Sequence, residues 1–120
     1  MVHSPGQWNR QAGPDFLQAV LEFDSGERQR GDVEVHRLAS GWTAHQHHVD
    51  PRYNRVILHV VLQNDRSHHE VERADGQVIP QVALAPLLPR PLGDYVDEIP
   101  LADYPNKHAP QIGQCYTILR

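Results

Sequence analysis

The run Val56-Ile57-Leu58-His59-Val60-Val61-Leu62 constrains the fold more than any other stretch of the chain. It is rich in β-branched residues and is apolar on both of the faces that a strand's two-residue period creates. A strand of this kind needs cover on both sides, so Arg55 to Gln63 is expected to be central in a sheet. Strict alternation would put Val56, Leu58, Val60 and Leu62 on one side and Ile57 and Val61 on the other. The run is also far short of the roughly 20 residues that a membrane-spanning helix requires. His59 lies inside it, where a buried histidine with its hydrogen bonds satisfied is expected.

Turn chemistry places the remaining elements. Asp24-Ser25-Gly26 separates Phe16–Phe23 from Arg28–Leu38, and Ala74-Asp75-Gly76 separates His69–Arg73 from Gln77–Leu84, so both pairs are expected to be hairpins. Glu70 and Glu72 alternate with Val71 and Arg73, which marks an exposed edge strand. Trp42 to His48 is expected to be a short helix or turn stopped at Asp50-Pro51, and residues 1–13 to be irregular. From Ala85 onward Pro86, Pro89, Pro91, Pro100, Pro105 and Pro110 forbid a continuous helix or strand. Ile99, Leu101 and Tyr104 of this tail are expected to pack on the core, with Gly113 to Arg120 beginning a short helix. The sum is an α/β or α+β domain: a mixed, mainly antiparallel sheet of about five strands with few helices. Residues 1–84 form its core and residues 85–120 a proline-rich wrapping segment of the same domain.

A length of 120 residues suits one domain with a modest core, and a net charge of −4 provides no general basic field for nucleic acid. The single cysteine, Cys115, excludes an internal disulfide and favours a reducing, cytoplasmic setting. No membrane segment, phosphate-binding loop, dinucleotide fingerprint or coiled-coil heptad is present, and Ser40 and Ser67 lack the glycines of a nucleophile elbow. Nine histidines against one lysine is a skewed ratio, and histidine is the commonest metal ligand.

The segment Gly31-Asp32-Val33-Glu34-Val35-His36 carries the first candidate site. As a strand it puts Asp32, Glu34 and His36 on one face and Val33 and Val35 on the other. Asp15, nineteen positions before Glu34, then falls beside it at the open end of the first hairpin. Metal-dependent phosphodiester cleavage needs hard oxygen ligands and a group that activates water. Asp15 and Glu34 would be the ligands of magnesium or manganese, and His36 the activating base. Arg52 and Arg55, with His45 and His47, would grip the backbone of a nucleic-acid substrate.

Pro14-Asp15 followed by Glu34-Val35-His36 resembles the PD-(D/E)xK nuclease core. The resemblance implies a restriction-endonuclease-like mixed sheet flanked by helices and magnesium-dependent cleavage, with His36 at the position where lysine is usual. A second resemblance covers about two thirds of the chain. Pro5-Gly6, Asn9, Ala12-Gly13-Pro14-Asp15-Phe16, Gly31 to His36, Trp42, His45-Gln46-His47, Asp50, Tyr53-Asn54 and Val56 to Val61 are similar, block by block, to a bacterial family of unknown function. Its members are usually much longer, which implies a truncated or minimal member here.

The second candidate site is Trp42-x-x-His45-x-His47-His48-x-Asp50. A His-x-His pair on one strand face chelates zinc or iron, with Asp50 or His59 to complete the set. The chain is therefore expected to be a nuclease or a degenerate relative. The alternatives are a histidine-based metalloprotein of another reaction class and a non-catalytic binding or assembly module.

Overall fold

The computed structural model describes residues 1–90; the expectations for the tail beyond Arg90, including Cys115, lie outside them. Among the described residues seven strands form one sheet: β1 (Val2–Ser4), β2 (Gln7–Trp8), β3 (Phe16–Glu22), β4 (Arg28–Leu38), β5 (Val56–Gln63), β6 (Glu70–Glu72) and β7 (Val78–Ala83). The order is β1-β3-β4-β5-β7-β6, with β2 also paired to β3. The β4–β5 and β5–β7 pairs are parallel and the other four antiparallel, so the sheet is mixed and mainly antiparallel. The described residues thus hold two strands more than the sequence suggested. Both are in residues 1–13, where segments of two and three residues are too short to show a period; they form because β3 offers them an unpaired edge.

The two hairpins close in the same way. Gly26 donates its N–H to the Phe23 carbonyl and Phe23 to the Glu27 carbonyl, and the bonds of Gly76, Arg73 and Gln77 repeat the pattern. Each three-residue loop ends on a glycine at φ +86°, a conformation that a side chain at Cβ disfavours. As expected, β5 is central, flanked by two parallel neighbours, and β6 with its two glutamates is the edge.

One face of the sheet is a conventional apolar layer of Phe16, Ala19, Leu21, Val33, Val35 and Val60, with Ile57 and Leu58 packed against it. On the other face Trp42, Tyr53, Val56 and Ile79 form a second cluster. Val56 and Ile57 have therefore exchanged the sides that strict alternation assigns. Asp32 is paired with Val56 and Val33 with Leu58, so β5 accommodates one extra residue, Ile57, and its side-chain alternation changes phase there.

A parallel pair cannot be joined by a tight turn; it needs a crossover of a dozen or more residues. The β4–β5 crossover, residues 39–55, runs over the Trp42 face. It holds a four-residue helix, α1 (Gly41–Ala44), and 3-10 turns at His47–Val49 and Pro51–Tyr53. Asp50 caps the last turn by accepting the Arg52 N–H at 2.9 Å. The Trp42 indole, 1% exposed, donates Nε1–H to the Glu72 carbonyl at 2.9 Å and so fastens the crossover to β6. Among the described residues α1 is the only α-helix, so the flanking helices implied by a restriction-endonuclease-like core are not found there.

Leu21 is buried in the apolar layer and Leu87 is 71% exposed. Leu21→Ala should lower the unfolding free energy by about 2–5 kcal/mol, whereas Leu87→Ala should change it by less than about 0.5 kcal/mol. Urea titration of both variants measures the difference, and equal effects would contradict this assignment of the core.

Candidate metal centre

The alternation of β4 places Asp32, Glu34 and His36 on the crossover side while Val33 and Val35 enter the apolar layer, as the sequence led us to expect. All three ionisable groups are nevertheless buried, and each is engaged differently. Asp32 turns away from the others and accepts the Gln18 N–H at 3.0 Å, holding an irregular point of β3 where Gln18 has φ +57°. Burial raises its pKa, partly countered by that bond and by the Arg55 charge.

Asp15 and Glu34 stand opposite each other where β3 begins, because Phe16 is paired with Val33. Each clasps the other's strand. The Asp15 N–H donates to Glu34 Oε1 at 3.1 Å, and the Val35 N–H donates to Asp15 Oδ2 at 2.9 Å. Glu34 Oε2 faces the crossover, 3.2 Å from His36 Nε2 and 2.9 Å from His47 Nε2.

Histidines surround that oxygen. His36 Nε2 is 3.3 Å from His45 Nδ1, and one ring nitrogen from each of His36, His45 and His47 lies within 4.8 Å of the others. His45 is exposed at the end of α1; His47 is buried, stacked on Tyr53 with ring centroids 3.7 Å apart. The pair sits on helical turns separated by Gln46 at φ +60°, and not on a strand face. Gly41 makes the approach of α1 possible: a Cβ there would meet the His36 ring at 2.8 Å.

His59 is not one of the converging three. It is fully buried behind His36, with Nε2 2.7 Å from His36 Nδ1 and Nδ1 2.8 Å from Gln81 Oε1. Its nitrogens are engaged by His36 and Gln81, and it is the His36 ring that stands against His45 and His47. Burial, reinforced by His59, His47 and His45, drives the His36 pKa down to about 2. Burial likewise lowers His59 to about 4, against the opposing effect of the Gln81 hydrogen bond. Tyr53 is raised by burial and then by the charges of Glu34 and Asp15, so its hydroxyl keeps its proton.

Arg52 grips Asp50 through Nε and Nη2, the latter at 2.7 Å. Arg55 is exposed at the start of β5, its carbonyl accepting the Asp32 N–H. Asp50, expected as a metal ligand, is thus employed as a helix cap and the partner of Arg52. Tyr53 and Gln81 were given no role on sequence grounds. Only the burial of an aromatic in a polar loop could have signalled Tyr53, and no local signal singles out Gln81.

Fold and site together define a small α+β domain with a buried carboxylate–histidine centre beneath a crossover connection. The chain belongs to a family described as protein of unknown function (DUF2851), which matches residues 1–110. No curated protein and no solved structure shows a significant match to the chain. The family description carries no activity, so it lends no support to the nuclease resemblance.

His36 and His59 are neutral in the fold, whereas in the unfolded chain both take up protons below their ordinary pKa of 6.5. Their contribution to stability is therefore complete above about pH 6.5 and is lost as pH falls, through about 4 for His59 and further for His36. Each ring should cost at most about 1.4 kcal/mol per pH unit within its window. Urea titrations with a chelator present, between about pH 7 and about pH 5, should show this decline; a constant unfolding free energy would contradict neutral burial.

Proposed function

We propose that this domain binds a Zn2+-class transition metal through His36, His45 and His47, with Glu34 beside them, and uses it for metal-assisted hydrolysis. The convergence of the three imidazoles carries the reading. A tetrahedral ion with bonds of about 2.0–2.1 Å has ligand atoms roughly 3.3 Å apart. The His36–His45 separation of 3.3 Å matches that edge, and Glu34 Oε2, 3.2 Å from His36 Nε2, stands beside the ion's position. Imidazole nitrogens are also the donors such an ion prefers. Three protein ligands leave a fourth position, and exposed His45 puts solvent next to it.

A bound ion of this class brings the pKa of its water toward neutrality. The chain's own part is to hold the buried His36 imidazole neutral and to set a carboxylate against the site. Glu34 is placed to accept a proton there, its Oε1 fixed by the Asp15 N–H and its Oε2 directed at the histidines. Tyr53 stacks on His47 and orients it.

Magnesium at Asp15 and Glu34, the arrangement of a PD-(D/E)xK nuclease, fits the residues less well. One oxygen of each acid accepts a backbone N–H, and Glu34 Oε2 faces imidazoles, which suit softer ions than magnesium. Phosphodiesters remain the first substrates to assay, since the same hairpin presents Glu34.

Isothermal titration of the metal-free chain should show one zinc or cobalt ion per molecule, and thermal stability should rise with metal by about 2.7 kcal/mol at 100 times Kd. His45→Ala, at an exposed position, should weaken binding by at least about tenfold without loss of fold. Glu34→Gln should retain some metal affinity while abolishing cleavage of a nucleic-acid substrate. A melting point that responds to magnesium and not to zinc would restore the nuclease-type site, and a response to neither would leave a non-catalytic module.

A further inference from the structure

We infer that Gln81 and His59 are positioning residues: hydrogen bonded in series, they fix His36 as the tautomer whose Nε2 lone pair faces His45 and Glu34. This rests on the metal-centre reading above for its purpose, but the tautomer can be observed without any metal.

Three adjacent strands supply the series. His59 is the register partner of Glu34 on one side and of Gln81 on the other, so Gln81, His59 and Glu34 form a row across β7, β5 and β4, with His36 two residues beyond Glu34. Gln81 presents its carbonyl oxygen to His59 Nδ1 at 2.8 Å. A carbonyl only accepts, so His59 Nδ1 carries the hydrogen. In a neutral imidazole the other nitrogen is then a bare acceptor, and His59 Nε2 meets His36 Nδ1 at 2.7 Å. His36 Nδ1 must donate, which leaves the His36 Nε2 lone pair on the opposite edge of the ring.

That edge is the site. His36 Nε2 lies 3.3 Å from His45 Nδ1 and 3.2 Å from Glu34 Oε2. A nitrogen lone pair aimed at a carboxylate oxygen at this distance is repulsive unless a cation or a shared proton lies between them. The series therefore makes the position selective for a cation and presents the His36 atom that binds one. With the Gln81 amide oriented as it is, the reverse tautomer would direct a bare His59 Nδ1 at the Gln81 carbonyl, two acceptors in contact in a desolvated interior; only an amide turned over to offer Nε2–H would reverse the series, and it would place hydrogen on His36 Nε2. Metal-bound imidazoles commonly have their far N–H held by such a partner, and removing it costs about 10–100-fold in affinity.

The test uses the full chain labelled with 15N at histidine and freed of metal with a chelator. Long-range proton–nitrogen correlation spectra report which ring nitrogen carries hydrogen. His36 and His59 should both show hydrogen at Nδ1, the less common form of a free imidazole. Gln81→Glu keeps an acceptor and should preserve this pattern together with zinc affinity. Gln81→Met removes the acceptor from a half-buried strand position; it should mix the tautomers of both rings and weaken zinc binding about 10–100-fold. Hydrogen at His36 Nε2 in the wild-type chain would overturn the inference, as would Gln81→Met with unchanged tautomers and affinity. The Nδ1 pattern in a chain that binds neither zinc nor cobalt would uphold the series and refute the metal centre instead.

Discussion

A neutral imidazole has one donor and one acceptor, and when it is sealed inside a sheet both must find partners. His59 is such a ring, at zero exposure in the central strand of the domain. Its demands are met by β4 on one side and β7 on the other, through His36 and Gln81. The order β4-β5-β7 is therefore a requirement of one side chain as much as a way of burying valines. Around it the polar groups bond largely to one another or to backbone, which is how three carboxylates and three histidines can be buried together.

The parallel pairing of β4 with β5 has a second effect. It commits residues 39–55 to cross the sheet, and they cross on the polar side, bringing Trp42, His45, His47 and Tyr53 over Glu34 and His36. An antiparallel hairpin in the same place would have left the strand residues facing solvent with no opposing ligands. Trp42 and Tyr53 supply the apolar area that stabilises this cover, while His45 at its edge remains open.

Much of this was legible in the sequence because strands declare themselves by period and hairpins by their glycines. The face shared by Glu34 and His36, the hairpins at Gly26 and Gly76, the central place of Val56 to Gln63 and the edge at Glu70 all follow from local rules. Three features do not. The Ile57 insertion depends on how β5 meets β4, a contact between distant segments, so alternation assigned Val56 and Ile57 to the wrong sides. The pairing of His36, in place of His59, with His45 and His47 depends on where a crossover lands. Gln81 acquires meaning only as the neighbour of His59 in the sheet. Acidic residues in a row suggested hard-cation chemistry, but Asp32 and Asp15 bond to backbone N–H groups, which a sequence does not display.

The mutual grip of Asp15 and Glu34 on each other's strands ties the first hairpin at its open end, as the glycine turn ties it at the closed end. A hairpin held at one end only is free to slip by a single residue, and in this sheet such a slip would be disastrous. It would turn Val33 and Val35 toward the histidines and drive Glu34 and His36 into the layer of Phe16 and Leu21. The clasp makes the misaligned state lose two buried hydrogen bonds as well as its hydrophobic contacts. The carboxylate that faces the candidate site thus also acts as a ruler for the fold, so that a chain assembled in the wrong register could not retain a partly formed centre.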